Sequence, residues 1–559
     1  MTTSTHVSAP GTGMTSDERF VILASSLGTA FEWYDFFLYA ILAPFLAALF
    51  FPAGNDTAAL LSAFATYAAG FLVRPFGAVF FGRIGDLVGR KYTFLAAILM
   101  MGVSTFLVGL LPTFSSIGWG APILLVTLRL IQGVAVGGEY GGAVIYVAEH
   151  ARANERGYAT SWIQSTSSVG LGLALVVIML CREFMDTGSF SRWGWRIPFI
   201  ASILLLVFSI YIRLRLNETP IFKKMKEEGR VSRAPLTESF LRYPNNKYVL
   251  LAMLPVAGQA VVWYTGNFYA LFFLTITLKM SYLPAYSLIL ISLTLCAPLF
   301  VAFGWLSYRI GRMRIMLAGS LIASLTYFPL FSALTHYVNP DLGSFARRNP
   351  VMLTADASTC HLHIFVGPWS TFSNCDRAKD FVSRLGVSFK SADAPGAGDK
   401  VSLTIASTTL EAYNADKWNQ AFLDAGYPNL QKDKYGSIVP RPADTSNVNW
   451  LMAELILVIM MIYAAMLYGP LAALIVEMFP TSIRYTSVSL TYNIGAGWFG
   501  GMLPLLATAF VAAYGDIYFG LWYPIGVAVV TAVAGGLFLR DPKGADIASQ
   551  SSVHAAQGA

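Results

Sequence analysis

The sequence predicts an all-α membrane protein: twelve transmembrane helices in two pseudo-symmetric six-helix halves, with a small α/β extracytoplasmic insertion. Three observations carry this. Hydrophobic residues make up 55% of the 559 residues and charged residues only 12%, where a soluble chain carries about a quarter charged. The run Gly82-Arg83-Ile84-Gly85-Asp86-Leu87-Val88-Gly89-Arg90-Lys91 returns in weaker form as Gly304-Trp305-Leu306-Ser307-Tyr308-Arg309-Ile310-Gly311-Arg312, 222 residues later. Glu149 stands seven residues before Arg156, and Glu477 seven before Arg484, now 328 residues on. The two offsets differ by 106 residues. One membrane half, duplicated, with about that many residues inserted into the second copy, satisfies both offsets.

Each span follows from an apolar run of about 20 residues, the length needed to cross the hydrocarbon. The first half covers residues 20–214, with spans near 20–49, 59–81, 92–112, 121–148, 157–181 and 194–214. The second covers 246–336 and 450–540, with spans near 246–278, 283–303, 315–336, 450–476, 485–512 and 517–539. Residues 1–19 and 541–559 read as polar tails, and 215–245 as a central loop. The first apolar run is too long for a cleavable signal and carries Glu32 and Asp35. Basic residues in the loops 82–91, 213–247 and 304–314 place those loops in the cytoplasm, and with them both termini. Arg182, Arg192 and Arg196 oppose this and are outvoted. The net charge of +7 is therefore an orientation signal for a lipid bilayer and not a nucleic-acid footprint.

Residues 337–449 are polar and lack long apolar runs. The topology puts them outside the cytoplasm. A structureless connection this long is uncommon, so a folded module is expected. Lys400–Ala406 alternates like a strand, 351–366 could supply one or two more, and 376–385 and 409–425 read as helices. Cys360 and Cys375 lie in this module. A disulfide, two free thiols, or a metal site with His361 and His363 all remain open, although the spacing fits no common zinc pattern. No resident metal or cofactor is expected.

Ionisable residues inside spans cost roughly 2.5–3.5 kcal/mol each at a helix centre, so each needs a partner, a wet cavity, or both. Glu32 and Asp35 share a face of the first span, about 18–22 Å along it. Arg74 lies about 12 Å and Glu139 about 14 Å from the cytoplasmic ends of the second and fourth spans. These four form one layer and are the proton-coupling candidates. Two close carboxylates disfavour joint ionisation, so one of the pair, Asp35, is expected to carry a proton while Arg74 holds the other acid ionised. The alternative is that Arg74 merely stitches two helices. Arg129 stands about 15 Å from Glu139 and is the candidate for a substrate carboxylate. Gly133, Gly137 and Gly141, flanked by Gly138 and Gly142, form ridges for close helix packing. Pro75, Pro255, Pro298 and Pro504 are expected to kink their spans.

These residues carry a resemblance. The chain resembles the major facilitator superfamily and, within it, the metabolite:proton symporter family. The loop Gly82–Lys91 looks like the superfamily's cytoplasmic loop motif. Arg129-Leu130-Ile131-Gln132-Gly133 through Gly142, Phe31-Glu32-Trp33-Tyr34-Asp35-Phe36, Arg74-Pro75-Phe76-Gly77 and Asn217-Glu218-Thr219-Pro220 are similar to the symporter family's motifs. The resemblance implies alternating access, proton coupling and small organic acids or zwitterionic metabolites as substrates. By the same motif Asp86 and Arg90 would latch the cytoplasmic gate, supported by Glu149 and Arg156. Leu87 and Tyr308 depart from the motif, the latter predicting a weaker latch in the second half. The insertion lies outside the family plan.

Polar and aromatic groups within spans are the remaining substrate candidates: Tyr34, Gln164, Ser165, Gln259, Trp263, Tyr264, Asn267, Tyr492 and Asn493. For each, an interhelical hydrogen bond is the competing role. An enzyme is excluded for want of a catalytic constellation, and an ATP-driven pump for want of a phosphate-binding Gly-rich loop. An uncoupled facilitator, and a transporter-like sensor using the insertion, remain as alternatives. The expected partners are a small-molecule substrate, protons and lipid, around a monomer in the cell (inner) membrane.

Overall fold

The computed structural model describes residues 16–51, 56–87, 90–214, 234–366 and 370–542. The first helix starts at Ser16, inside the expected tail, and Asn217–Pro220 lies outside the described residues. Among those described, ten helices are long and apolar enough to cross a membrane. They are the first span (Ser25–Phe50), the second (Ala58–Ile84), the fourth (Gly120–His150), the fifth (Arg156–Glu183), the seventh (Asn245–Thr277), the eighth (Tyr282–Ile310), the ninth (Arg312–Val338), the tenth (Trp450–Glu477), the eleventh (Arg484–Tyr514) and the twelfth (Phe519–Phe538). Thr187–Gly194 and Arg196–Ile212 form a sixth span bent by 52°. The third span is the helix Arg90–Leu110, whose apolar part Leu95–Leu110 is shorter.

Two of the four prolines sit where helices restart. The second span breaks at Val73, and a new helix begins at Arg74. Pro75 has no N–H to give to Phe71, so the ladder is interrupted there and Arg74 opens a first turn. Pro504 likewise opens Leu503–Tyr514 after the π-helical turn Gly495–Gly500. Pro255 and Pro298 lie inside unbroken helices. The seventh span is interrupted by π-helical turns at Thr265–Tyr269 and Phe273–Thr277, a distortion that favours functional sites.

The glycine ridges are contact surfaces. A Cβ on Gly133 would lie 1.9 Å from the Gly70 carbonyl oxygen, and one on Gly137 would lie 2.2 Å from that of Arg74. The fourth span thus lies backbone to backbone on the second. Gly141 faces the other half, where a Cβ would meet Ser489 Oγ at 2.0 Å. The fifth and eighth spans cross equally closely at Gly157 and Gly304, the latter in the weaker repeat.

The insertion is a small α/β module. Its four-stranded sheet has the order β2-β1-β3-β4, with β1 (Val351–Ala355), β2 (Phe389–Asp393), β3 (Val401–Ile405) and β4 (Thr408–Glu411). β1 runs parallel to β2 in the register Val351↔Phe389 and antiparallel to β3 in the register Val351↔Ile405. Two further strands, β5 (Leu430–Lys432) and β6 (Ile438–Pro440), pair apart. Helix Asn374–Arg384 starts in a capping box at Ser373 and Asp376. The expected helix over 409–425 is shorter. Residues 408–411 pair with β3 across a two-residue turn, with Ala406 at φ 52°, and Asn414 caps a helix of only Ala415–Asp424. Cys360 and Cys375 form a disulfide.

Candidate functional site

A cavity lies between the halves at mid-height. It encloses about 270 Å³ and is walled by Trp33, Phe37, Arg74, Ser167, Gln259, Ala260, Trp263, Tyr264, Tyr468, Tyr492 and Ala496. Four of the six spans contributing these residues, the first, seventh, tenth and eleventh, supply aromatic rings. The one cation among the lining residues, Arg74, is delivered by the restart of the second span. Its guanidinium lies 3.9 Å from the Phe71 ring centroid and 4.2 Å from that of Phe36. Among the described residues, its buried Nε and Nη2 donate to nothing, and Trp263 Nε1 and Gln259 Oε1 are likewise unpartnered. A buried polar atom without a partner is costly. Four such atoms converge on this one cavity.

The cavity is sealed on both sides. Toward the insertion, Phe37 stacks on Trp263 at 5.1 Å, Phe268 packs on Phe37 at 5.3 Å, and Phe64 meets Phe272 at 4.9 Å. On the other side the Tyr140 and Tyr492 rings stack, and the Tyr468 and Tyr492 hydroxyls are 2.9 Å apart. Tyr485 then donates to the Gly138 carbonyl at 2.6 Å. Below these comes a layer of buried charge. Arg484 reaches Glu149 at 3.1 Å and Arg156 reaches Glu477 at 2.5 Å. Arg312 also donates to Glu477, at 2.7 Å. Each pair joins opposite halves, apart from Arg312 with Glu477. Arg312, from the weaker repeat, finds its acid on the tenth span rather than at Tyr308.

A second cavity, again about 270 Å³, lies within the first half and is lined by Thr29, Glu32, Trp33, Phe36, Met101, Val136, Glu139 and Tyr140. It brings Glu32 and Glu139 together, as the layer predicted, and shares Trp33 with the central cavity. Asp35 is buried with its Oδ1 unpartnered.

Several expectations are corrected. Arg74 makes no ion pair among the described residues; rings hold it, so it does not fix Glu32 or Asp35 as a carboxylate. Arg129 is fully buried inside the first half, lying over Tyr39 and Phe36 and donating to Gln132 Oε1 at 2.7 Å. It does not line the central cavity. Tyr34 spends its hydroxyl on the Pro198 carbonyl, and Gln164 donates to the Tyr140 hydroxyl. Asn267 donates to the Trp263 carbonyl, and Asn493 joins the halves through the Gly137 carbonyl at 2.9 Å. The competing role, an interhelical or backbone hydrogen bond, holds for these four. Trp263, Tyr264 and Tyr492 do line the cavity. The side chains of Asp86 and Arg90 lie outside the described residues.

The sequence reading missed Trp33, Phe37, Ser167 and Tyr468 as lining residues, and Glu477, Arg484 and Arg312 as ion-pair partners. For Glu477 and Arg484 the signal was the Glu–Arg spacing repeated in both halves, and for Arg312 the weaker copy of the loop Gly304–Arg312. Glu454, in the tenth span, was also missed; both its carboxylate oxygens are buried and unpartnered.

Outside the spans, Asp376 organises the insertion. Its carboxylate accepts from the His361 N–H at 2.7 Å, the Ser373 N–H at 3.0 Å and His363 Nε2 at 3.0 Å. Half-burial pushes the carboxyl up, but these hydrogen bonds outweigh it and hold it below its usual range.

The family described as sugar (and other) transporters matches residues 20–239. The shikimate transporter of Escherichia coli (strain K12) is 38% identical over 327 residues, 58% of this chain and 74% of that protein. The alpha-ketoglutarate permease of the same strain is 31% identical over 406 residues, 71% of this chain and 90% of that one. The citrate-proton symporter of Klebsiella pneumoniae is 32% identical over 318 residues, 56% and 70% of the two chains. Among solved structures, the proton:xylose symporter XylE bound to 6-bromo-6-deoxy-D-glucose gives a TM-score of 0.60 over 95% of this chain and 98% of that one. At 16% identity, that likeness concerns the fold alone.

Proposed function

We propose, for a chain that belongs to the metabolite:proton symporter family of the major facilitator superfamily, that it imports a small organic acid or zwitterion together with protons by alternating access. Membership makes it a multi-pass membrane transporter and not an enzyme. The proposal further places it in the inner membrane as a monomer, with both termini cytoplasmic and residues 337–449 on the outer face.

The observation that carries the substrate class is the unpartnered guanidinium edge of Arg74 in an otherwise aromatic cavity. A carboxylate is the natural complement of that edge. The Trp33, Trp263, Tyr264 and Tyr492 rings suit a flat or cyclic body, or the cationic end of a zwitterion. For the proton, Glu32 and Glu139 share a cavity one residue from the substrate wall, so Trp33 can couple occupancy of one to protonation of the other. Asp35, buried on the same helix, is the third candidate. One charge moved through 100 mV is worth about 2.3 kcal/mol, roughly fifty-fold accumulation. The ion pairs Glu149–Arg484 and Arg156–Glu477 close the cytoplasmic side and must part for release.

The test is uptake into proteoliposomes across a panel of organic acids and betaines, with and without an imposed pH gradient. Accumulation of a carboxylate-bearing solute only with an inward proton gradient is expected. Uptake that equilibrates but never concentrates, whatever the gradient, would make the protein an uncoupled facilitator.

A further inference from the structure

The insertion is anchored to one half of the transporter and rests on the other. Its ties to the second half are many. Lys379 Nζ donates to the Ala513 carbonyl at 3.1 Å, the Phe389 N–H to the Gly515 carbonyl at 2.8 Å, and the Ala443 N–H to the Lys279 carbonyl at 2.8 Å. The half-buried Lys279, its ammonium pushed down to about 8 by desolvation and by Arg384, donates to the Arg384 carbonyl. Toward the first half, Ser62 Oγ of the second span donates to the Val366 carbonyl at 3.2 Å. Val366 belongs to a segment that is held to the module by the Cys360–Cys375 disulfide and by the bonds of His361 and His363 to Asp376.

The segment stands over a route inward. Beside it is a cavity of about 380 Å³, lined by Ala58 and Leu61 of the second span, His361, His363 and Lys379 of the insertion, and Ala513 of the eleventh span. A larger one of about 570 Å³ lies alongside, sharing Asp380 and Ala512 with it and bounded by Phe272. Phe272 packs on Phe64 and Phe268, the rings that seal the central cavity. Both outer cavities draw walls from both halves, so neither can keep its shape when the halves separate.

We propose that the insertion is a gate element of the outer entrance. It rides with the second half, closes the entrance by setting His361–Val366 on the second span at Ser62, and lifts away each time the entrance opens. The inference rests on alternating access as proposed above.

Gly501 supplies the test. A Cβ there would lie 2.1 Å from the Phe71 ring of the opposite half, so Gly501→Trp wedges the halves apart on the insertion side; Gly501→Leu is a milder wedge should the first fail to fold. In the full chain in lipid nanodiscs, spin-label distances are measured for three cysteine pairs: Ala58→Cys with Tyr514→Cys, Ala58→Cys with Phe365→Cys, and Phe365→Cys with Tyr514→Cys. The wedge should lengthen the first two by several ångströms and leave the third unchanged. If the first lengthens while the second does not, the segment travels with the first half and the gate is refuted. If the first does not lengthen, alternating access itself fails at this entrance and the inference falls with it.

Discussion

Glu149 of the first half and Arg484 of the second meet at 3.1 Å. Arg156 and Glu477 make the reciprocal exchange at 2.5 Å. The acid of each half is therefore satisfied by the base of the other. All four side chains are buried, so the exchange is available only while this end of the bundle is shut.

Removing one partner of such a pair strands a buried charge, at about 3–5 kcal/mol. Glu149→Gln should therefore shift the conformer balance toward the state open at this end by roughly a hundredfold or more. The readout is the labelling rate of a cysteine at Ser487, now buried against Ser239 at 2.9 Å. An unchanged rate would falsify the latch. The reversed pair, Glu149→Arg with Arg484→Glu, should recover most of the closed state.

Arg74→Gln should raise the substrate KM about tenfold to a hundredfold, the loss of one charge-assisted hydrogen bond at about 1.5–3 kcal/mol. Arg74→Lys should recover only part of this, because a point charge cannot reproduce the planar fork. Equal KM values in all three proteins, measured by initial uptake rates, would remove Arg74 from the binding site.

Glu32→Gln, Glu139→Gln and Asp35→Asn are each to be compared in gradient-driven accumulation and in substrate exchange. The proton carrier is the residue whose neutral form keeps exchange and loses accumulation. Should all three variants still concentrate substrate in a proton-dependent way, the carrier lies elsewhere, and Glu454 is the acid to examine next.

Gly137→Ala would force a methyl group to within 2.2 Å of the Arg74 carbonyl oxygen. Overpacking of this kind costs about 1–3 kcal/mol, and here it also displaces the residue that faces the cavity. A fall in both thermal stability and uptake is expected. Gly526→Ala, with nothing within 4 Å, is the matched control and should behave as the parent protein does.

Asp376 gives the insertion an acid limit. Its folded carboxyl titrates below the ordinary value of 3.8, so its contribution to stability is fully present above that pH. The contribution is lost as the pH falls through the depressed value. Asp376→Asn should lower the thermal stability of the full chain at neutral pH and flatten its acid dependence in that window. An unchanged acid profile would show that another group sets it.

The membrane helices, the duplication and the insertion were legible because each is written in composition, period or spacing. The cavity was only half legible, for a reason visible at Asn493 and Trp263. Both are polar-tipped groups in apolar spans, and hydropathy cannot tell a side chain bonded to a backbone carbonyl from one with an idle N–H. Arg74 was found for the right property and given the wrong neighbours. Depth along a helix can be counted from sequence, whereas azimuth against Phe36 and Phe71 cannot. The reciprocal ion pairs were hidden for a related reason, since spacing within one half carries no information about which half supplies the partner.

The two ends of the insertion leave the bundle side by side: the Asn449 N–H donates to the Tyr337 carbonyl at 2.8 Å. A turn of a few residues could join them directly, because the ninth and tenth spans already present their termini at bonding distance. The module is thus separable baggage in the covalent sense. A shortened chain lacking residues 340–448 would still have every membrane helix in order, and the excised segment could be grafted onto a relative at the same junction.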